Sequence, residues 1–326
     1  MKIAIVGASG MVGRTFLSIL EEKGFSYSTL TLFASPRSAG NVVKYQGHDL
    51  VIKELNEQSF DEGFDVALFS AGGSTSLKYA PIAASKGCYV IDNSSAFRMD
   101  PNIPLVVPEV NAHELMNMNG YIIANPNCST IQSVLVLNAL KHLGIKRVSY
   151  TSYQAVSGSG YQGIKDLERT LEGNAPEYYP QPIAHNVIPL IDVLLDNGYS
   201  KEEIKMMEET KKILNLPDLK VSATCVRVPV KNAHSVSIQC EFDQEVDLDQ
   251  VKVSLNAHPF VKVSDSIVTP RDVSGHDVAL VTRLRKDLSV DHGIHCFVIA
   301  DNIRKGAALN AIQILEVLIE RSIVHV

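Results

Sequence analysis

One of the five cysteines stands in surroundings unlike those of the others. Cys128 follows Asn125-Pro126-Asn127 and precedes Ser129-Thr130, between an apolar strand at 121–124 and a helix predicted over roughly 130–142, with Gly144 as its stop. A thiol in the first turn of a helix faces backbone N–H groups, which stabilise thiolate and depress its pKa. The same N–H groups, or the Asn127 amide, suit an oxyanion on an acyl group carried by sulfur. Cys88, Cys225, Cys240 and Cys296 lie in apolar strand patterns and read as small buried hydrophobes. An odd count with no Cys-x-x-Cys argues against a disulfide framework and a paired-cysteine zinc site, so no metal is expected.

A second chemical feature lies at the start of the chain. Gly7-Ala8-Ser9-Gly10-Met11-Val12-Gly13 joins a short apolar strand, 2–6, to a helix predicted over 12–22. Glycines at a strand-to-helix turn let backbone N–H groups approach a pyrophosphate. After the second strand, 29–34, an NAD site wants a carboxylate for the ribose hydroxyls. This chain offers Phe33-Ala34-Ser35-Pro36-Arg37-Ser38 instead, and an arginine with hydroxyls suits a 2′-phosphate, hence NADP. A thiolate paired with a nicotinamide points to acyl transfer through sulfur coupled to hydride transfer. His234, before an alternating strand, and Arg227, flanked by valines, are candidates for proton traffic and for clamping a carboxylate.

These residues need a scaffold. Strands at 65–70 and 88–91 flank Gly72-Gly73 and an alanine-rich helix running from about 74–76 to 86, so the first third reads as a parallel doubly wound sheet. Segments 148–156, 222–230, 234–242 and 278–285 alternate and are rich in Val, Ser and Thr, as half-buried antiparallel strands are. The proline-bearing stretch 173–182 reads as a loop and 201–214 as an amphipathic helix. A strand at 295–300 precedes a last helix, about 306–321, which the pattern assigns to no particular sheet. The fold class is α/β, a nucleotide-type domain followed by a mixed-sheet domain.

Composition bounds the rest. At 326 residues, 45% apolar and 20% charged, the chain is ordinary globular material for one or two domains. Thirty Lys and Arg against 36 Asp and Glu give a net charge of −6, which offers no general attraction for nucleic acid or anionic lipid. No run of 18 apolar residues is present and the first residues read as structure rather than a signal peptide, so the cytosol is the expected address.

Taken in register, the segments GASGMVG, FASPRSAG, FSAGGS, IDNSSAFRMD, VPEVN, IIANPNCSTIQ, YQAVSGSG, KEEIKMMEETKKIL, CVRVPVKNAHS and GIHCFVIADNIRKGAA resemble the bacterial aspartate-β-semialdehyde dehydrogenases along essentially the whole chain. The resemblance implies an NADP-binding Rossmann-type domain at 1–127 completed by the helix 306–326, and a catalytic and dimerisation domain of mixed α+β type at 128–305. It implies Cys128 as the nucleophile with Asn127 beside it, Gln154 orienting the substrate, and His234 as the general acid/base, able when neutral to take the Cys128 proton. Arg227 would bind the substrate α-carboxylate, Glu203 its amino group, and Lys205 with Arg98 its phosphate. On the cofactor side it implies Gly7, Ser9, Gly10, Met11, Val12, Gly13, Arg37, Ser38, Ser70, Ala71, Gly72, Gly73, Ser157, Gly158 and Asn302.

The activity so implied is NADPH-dependent reduction of L-aspartyl 4-phosphate to L-aspartate 4-semialdehyde, with release of inorganic phosphate, by a homodimer. It would serve lysine, threonine, methionine and diaminopimelate biosynthesis. Rivals are N-acetyl-γ-glutamyl-phosphate reductase, where Gly-Cys-Tyr is expected in place of Asn-Cys-Ser, and glyceraldehyde-3-phosphate dehydrogenase, disfavoured by the missing acidic residue after the second strand. A non-catalytic nucleotide-binding regulator would keep the glycine turn but not need the thiol.

Overall fold

A computed structural model describes residues 1–325, so the expected final segment 306–326 ends on a residue outside the described ones. The chain forms two compact units, one from Met1–Pro126 joined by the segment that begins at Ala307, the other Asn127–Gly306. Among the described residues no helix is long and apolar enough to cross a membrane.

The first unit runs β1 (Lys2–Val6), α1 (Met11–Glu22), β2 (Thr29–Ala34), β3 (Val42–Tyr45), β4 (His48–Glu54), β5 (Val66–Phe69), α2 (Gly73–Ser85), β6 (Tyr89–Asp92), α3 (Pro108–Asn111) and β7 (Ile122–Ala124). Its seven strands order β3-β4-β2-β1-β5-β6-β7. All neighbours are parallel except the β3–β4 hairpin, which turns at Gln46-Gly47 with φ of 49° and 76°. The sequence reading missed that hairpin because its strands are short and half-exposed at the sheet edge, and carry a weak apolar signal. The central strands β1, after its exposed first residue Lys2, and β5 are apolar and buried, as strands covered on both faces must be.

The second unit opens with α4 (Cys128–Leu140), followed by β8 (Ile145–Gln154), α5 (Gly160–Leu171), α6 (Lys201–Leu214), β9 (Lys220–Arg227), β10 (His234–Phe242), α7 (Leu248–Ala257), β11 (Val261–Val263), α8 (Pro270–Val273), β12 (Ala279–Lys286) and β13 (Gly293–Ala300). A π-helical turn, Arg304–Ala308, then leads into α9 (Leu309–Glu320) in the first unit. There Asn310 Nδ2 donates to Val106 O at 2.9 Å and Glu316 pairs with Lys23 at 2.6 Å. α4 is buried nearly throughout, with polar Ser129, Thr130, Gln132 and Ser133 in its first half and apolar residues through most of its second, and Gly144, with φ of 76°, ends the helical run after one further 3-10 turn.

The second sheet has six strands in the order β11-β12-β13-β10-β8-β9. The sheet is mixed, as expected, but the segments read as antiparallel strands are not all paired that way: β8–β9 and β11–β12 are parallel, and the other neighbours antiparallel. α5 and α6 lie between β8 and β9 in the chain and α8 between β11 and β12, and crossovers of this length allow parallel return. The register sets Gln154 of β8 beside Arg227 of β9, while His234, the first residue of β10, lies next to Ser235, the partner of Tyr153. Three of the expected site residues thus share one end of one sheet.

Candidate active site

In the first unit the glycine turn is closed by backbone contacts. Gly7, with φ of 88°, and Ala8 donate to Phe33 O at 2.9 and 3.1 Å, and Gly10 donates to Gly7 O at 3.0 Å. A Cβ on Gly13 would lie 2.3 Å from Gly7 O, and one on Gly7 would lie 2.8 Å from Ser70 C. Those two positions exclude every other residue. Gly10 caps α1 and Gly72 caps α2, and neither helix has a side-chain cap. Ser9, Met11, Val12, Ser70 and Ala71 are half-buried around these ends, and Arg37 is exposed with Ser38 half-buried after β2. Helix termini left without side-chain caps are what a phosphate would fill, so these residues fit a dinucleotide. Arg98, also in this unit, is buried, and its Nε and Nη2 donate to Asn125 O and Asn93 O at 2.9 Å each.

In the second unit Cys128 is the first residue of α4 and is half-buried, while the other four cysteines are fully buried. Burial pushes Cys88 and Cys296 up to about 12 and raises Cys225 and Cys240 as well, which makes all four poor nucleophiles. Asn127 is the N-cap of α4. Its Oδ1 accepts from Ser129 N at 2.9 Å and Thr130 N at 3.2 Å, its Nδ2 donates to Glu202 Oε1 at 2.7 Å, and its backbone N–H donates to Glu209 Oε2 at 2.6 Å. Asn127 Oδ1 is thus committed to the cap and one of its two Nδ2 N–H groups to Glu202, which leaves only the second N–H of that amide for an oxyanion. Asn127 fixes the turn that carries Cys128. A Cβ on Gly306 would lie 3.0 Å from Cys128 Cβ, so Gly306 itself lies directly against the nucleophile's stem.

The expected substrate role of Glu203 is corrected. Its Oε2 accepts from Ser200 N at 2.7 Å while Ser200 Oγ accepts from Glu203 N, a capping box, and its Oε1 accepts from Cys225 N at 3.0 Å. Both oxygens are bonded to backbone. Glu202 instead joins the Asn127 network: Gln154 Nε2 donates to its Oε1 at 3.3 Å and Lys205 Nζ lies 3.2 Å from its Oε2. Burial opposes ionisation of Glu202, but Lys205 and the Asn127 and Gln154 amides outweigh it and hold the carboxyl below its usual range. The signal for Glu203 was present in the sequence, since Ser200-Lys201-Glu202-Glu203 has the S-x-x-E spacing of a capping box. Glu209, two helical turns from Glu202 on the same face, was missed.

His234 is fully buried at the start of β10. Its Nδ1 accepts the Ala155 N–H at 3.0 Å, which places the proton of the neutral ring on Nε2, and Nε2 has no partner among the described residues. Burial, and after it the Arg227 guanidinium, hold the imidazole well below its ordinary range. A neutral ring held this way donates at Nε2, so it does not take a thiol proton there, contrary to the expectation for neutral His234. Arg227 is buried with Nη1 donating to Ala155 O at 2.7 Å. A Cβ on Gly158 would lie 2.9 Å from Arg227 Nη1 and 3.0 Å from His234 Nε2, so Gly158 leaves the space in front of both. Ser157 and Asn302 are bonded to each other at 3.0 Å, and Asn302 Oδ1 accepts from Ala233 N at 3.0 Å. Among the described residues no cluster of His, Cys, Asp and Glu suits a metal ion.

Comparison with known proteins supplies the family. Residues 2–118 match the semialdehyde dehydrogenase NAD binding domain, and residues 137–305 match the semialdehyde dehydrogenase dimerisation domain. The aspartate-semialdehyde dehydrogenase of Aquifex aeolicus is 47% identical over 99% of both chains. The chain belongs to the aspartate-semialdehyde dehydrogenase family. Its relative of the same name in Bacillus subtilis is 46% identical over 98% of this chain and 97% of the relative. Among solved structures, aspartate semialdehyde dehydrogenase II from Vibrio cholerae superposes with a TM-score of 0.91 at 44% identity over 98% of each chain, as does the same enzyme complexed with ASA. The Candida albicans enzyme with NADP superposes with a TM-score of 0.78 at 25% identity over 99% of each chain. As a member of this family the protein is an oxidoreductase, an aspartate-semialdehyde dehydrogenase with an NAD-binding-type first domain.

Proposed function

We propose that the chain reduces L-aspartyl 4-phosphate to L-aspartate 4-semialdehyde with NADPH, and runs the reverse phosphate-dependent oxidation, through a thioester on Cys128. The observation that carries this reading is the contrast among thiols: one half-buried cysteine at the head of α4, its turn tied by Asn127 to two buried carboxylates, against four sealed in the core. The Cys128 sulfur attacks the acyl carbon, and the C–O bond to phosphate breaks as phosphate leaves. Lys205 and Arg98 are the proposed phosphate ligands. A dinucleotide held at the Gly7–Gly13 turn and the Ser70–Gly73 turn would supply the hydride that reduces the thioester carbon. The Nε2–H of His234, a buried donor with no acceptor among the described residues, then serves the tetrahedral oxygen, and sulfur departs as the aldehyde forms.

Substrate recognition follows from charge. Arg227 suits the α-carboxylate, and Glu202, rather than Glu203, suits the ammonium group, because Glu202 is held by side-chain amides and an ammonium while Glu203 closes a backbone cap. Gln154 orients Glu202 and the bound substrate. Ser157, Gly158 and Asn302 complete the proposed cofactor contacts. Preference for NADP rests on Arg37 and Ser38 after β2, where a carboxylate is missing, and a homodimer in the cytosol is the proposed state, in keeping with the dimerisation-domain match.

The test is phosphate-dependent oxidation of L-aspartate 4-semialdehyde with NADP and NAD side by side, and with the N-acetylated glutamate analogue as control. Cys128→Ala is expected to abolish turnover while dinucleotide binding persists. Turnover by Cys128→Ala, or preference for the acetylated analogue, overturns the reading.

A further inference from the structure

Lys205 does not stand open in the free protein. Its Nζ lies 2.6 Å from Asp192 Oδ2 and 3.2 Å from Glu202 Oε2, with side-chain exposures of 23%, 31% and 8% for Lys205, Asp192 and Glu202. Burial works against the charged lysine, but the two carboxylates outweigh it and raise its pKa. Asp192, correspondingly, is held below its usual range once the Lys205 contact outweighs its partial burial. One ammonium therefore serves two carboxylates.

Asp192 reaches this position through backbone that ordinary residues avoid. Its φ is 68°, in the left-handed region that Asp and Asn tolerate better than most side chains, and its Oδ1 accepts the next backbone N–H, Val193 N, at 2.8 Å. The chain then folds into a small hairpin, in which Leu194 bridges Ser200, Leu195 N donates to Tyr199 O at 2.8 Å, and Lys201 N donates to Val193 O at 2.9 Å. That hairpin feeds directly into the capped N-terminus of α6, four residues before Lys205. The strained residue is thus anchored at the foot of the turn that faces the lysine.

The substrate's charges leave this aspartate over. On the reading given above, the ammonium of the substrate goes to Glu202 and its phosphate to Lys205, so nothing in the substrate matches a second carboxylate. We infer that Asp192 is a resident competitor for phosphate, occupying Lys205 in the free enzyme and swinging out to solvent when the phosphoryl group or inorganic phosphate arrives. A phosphate dianion and an ionised Asp192 repel each other at one ammonium, and the aspartate, on an exposed loop, is the partner free to leave. Its role is to set phosphate affinity and ease phosphate release rather than to touch the reacting atoms.

Asp192→Asn removes the charge and keeps both the backbone conformation and the acceptor for Val193 N–H. The expected result is a KM for inorganic phosphate lower by about two- to fivefold, the range an exposed ion pair supplies, with little movement in the KM for the semialdehyde. Asp192→Gly, which fits the same φ, is expected to match it and guards against a folding artefact. The inference rests on Lys205 as the phosphate ligand, so Lys205→Met is measured in parallel. If Lys205→Met leaves the phosphate KM alone, the phosphate assignment itself falls. If Lys205→Met raises it but Asp192→Asn leaves it unchanged or raises it too, the competitor role alone is overturned. In the Lys205→Met background, Asp192→Asn should have no further effect on the phosphate KM; a persisting effect refutes the coupling.

Discussion

Replacing Glu202 and Glu203 one at a time by Gln separates two adjacent buried carboxylates that the structure gives different work. In Glu203 each oxygen accepts one backbone N–H, Cys225 N at 3.0 Å and Ser200 N at 2.7 Å. A glutamine has one carbonyl oxygen, so one of those N–H groups would face an amide NH2 with water excluded. An unsatisfied buried donor costs about 1–3 kcal/mol, and weakening the capping box about 1 kcal/mol more. A loss of about 2–4 kcal/mol corresponds to roughly 4–16 °C in the melting temperature of a unit of this size. In Glu202, by contrast, one oxygen accepts from both Asn127 Nδ2 and Gln154 Nε2, and the amide oxygen of Gln can replace it, while the other, which pairs with Lys205, is lost to an amide NH2 and leaves that lysine to Asp192. Glu202→Gln loses the charge opposite the substrate ammonium. A hydrogen bond to a charged group contributes about 1.5–3 kcal/mol, so kcat/KM for the semialdehyde should fall about 10- to 150-fold. Thermal melts and steady-state kinetics on both variants decide the matter. If Glu203→Gln lowers kcat/KM without lowering the melting temperature, and Glu202→Gln does neither, the exchange of roles argued here is wrong.

Two further outcomes follow from the other half of the site. Gly158→Ala places a methyl group 2.9–3.0 Å from Arg227 Nη1 and His234 Nε2, and is expected to reduce kcat/KM at least about tenfold while circular dichroism and melting stay near wild type; retained kinetics would show that the space in front of these groups is not used. His234 has a native pKa below its unfolded value, so below about pH 6.5 the unfolded chain takes a proton that the native ring refuses. The stabilisation is fully present above that pH and is lost as pH falls, at up to about 1.4 kcal/mol per pH unit. In urea unfolding, His234→Asn, whose amide oxygen still accepts the Ala155 N–H, should close on wild-type stability as pH drops from 7 to 5. A difference independent of pH contradicts this.

Local pattern was enough for much of the molecule. The glycine turn between β1 and α1, the strand-loop-helix that carries Cys128 and the helix at Lys201–Leu214 depend on neighbours in sequence: steric space at Gly7 and Gly13, a cap at Asn127, a capping box at Ser200 and Glu203. The elements that escaped are those with little periodic signal or a half-exposed edge, such as the β3–β4 hairpin and the short β11. The resemblance assigns Glu203 to the substrate, whereas its Ser200-x-x-Glu203 spacing already marks a cap.

What the amino-acid order determined, then, was which residues could do chemistry and the short segments that present them, because caps, turns and hydrophobic periods act over a few residues. What only the tertiary structure decided was partnership across distance. Glu202 rather than Glu203 meets Asn127 and Gln154, the Ala155 N–H sets the proton on His234 Nε2, and Asp192 holds Lys205. Each of those pairings joins elements separated by a loop or a crossover, and the direction a side chain takes there is set by packing and by hydrogen bonds that no local pattern specifies.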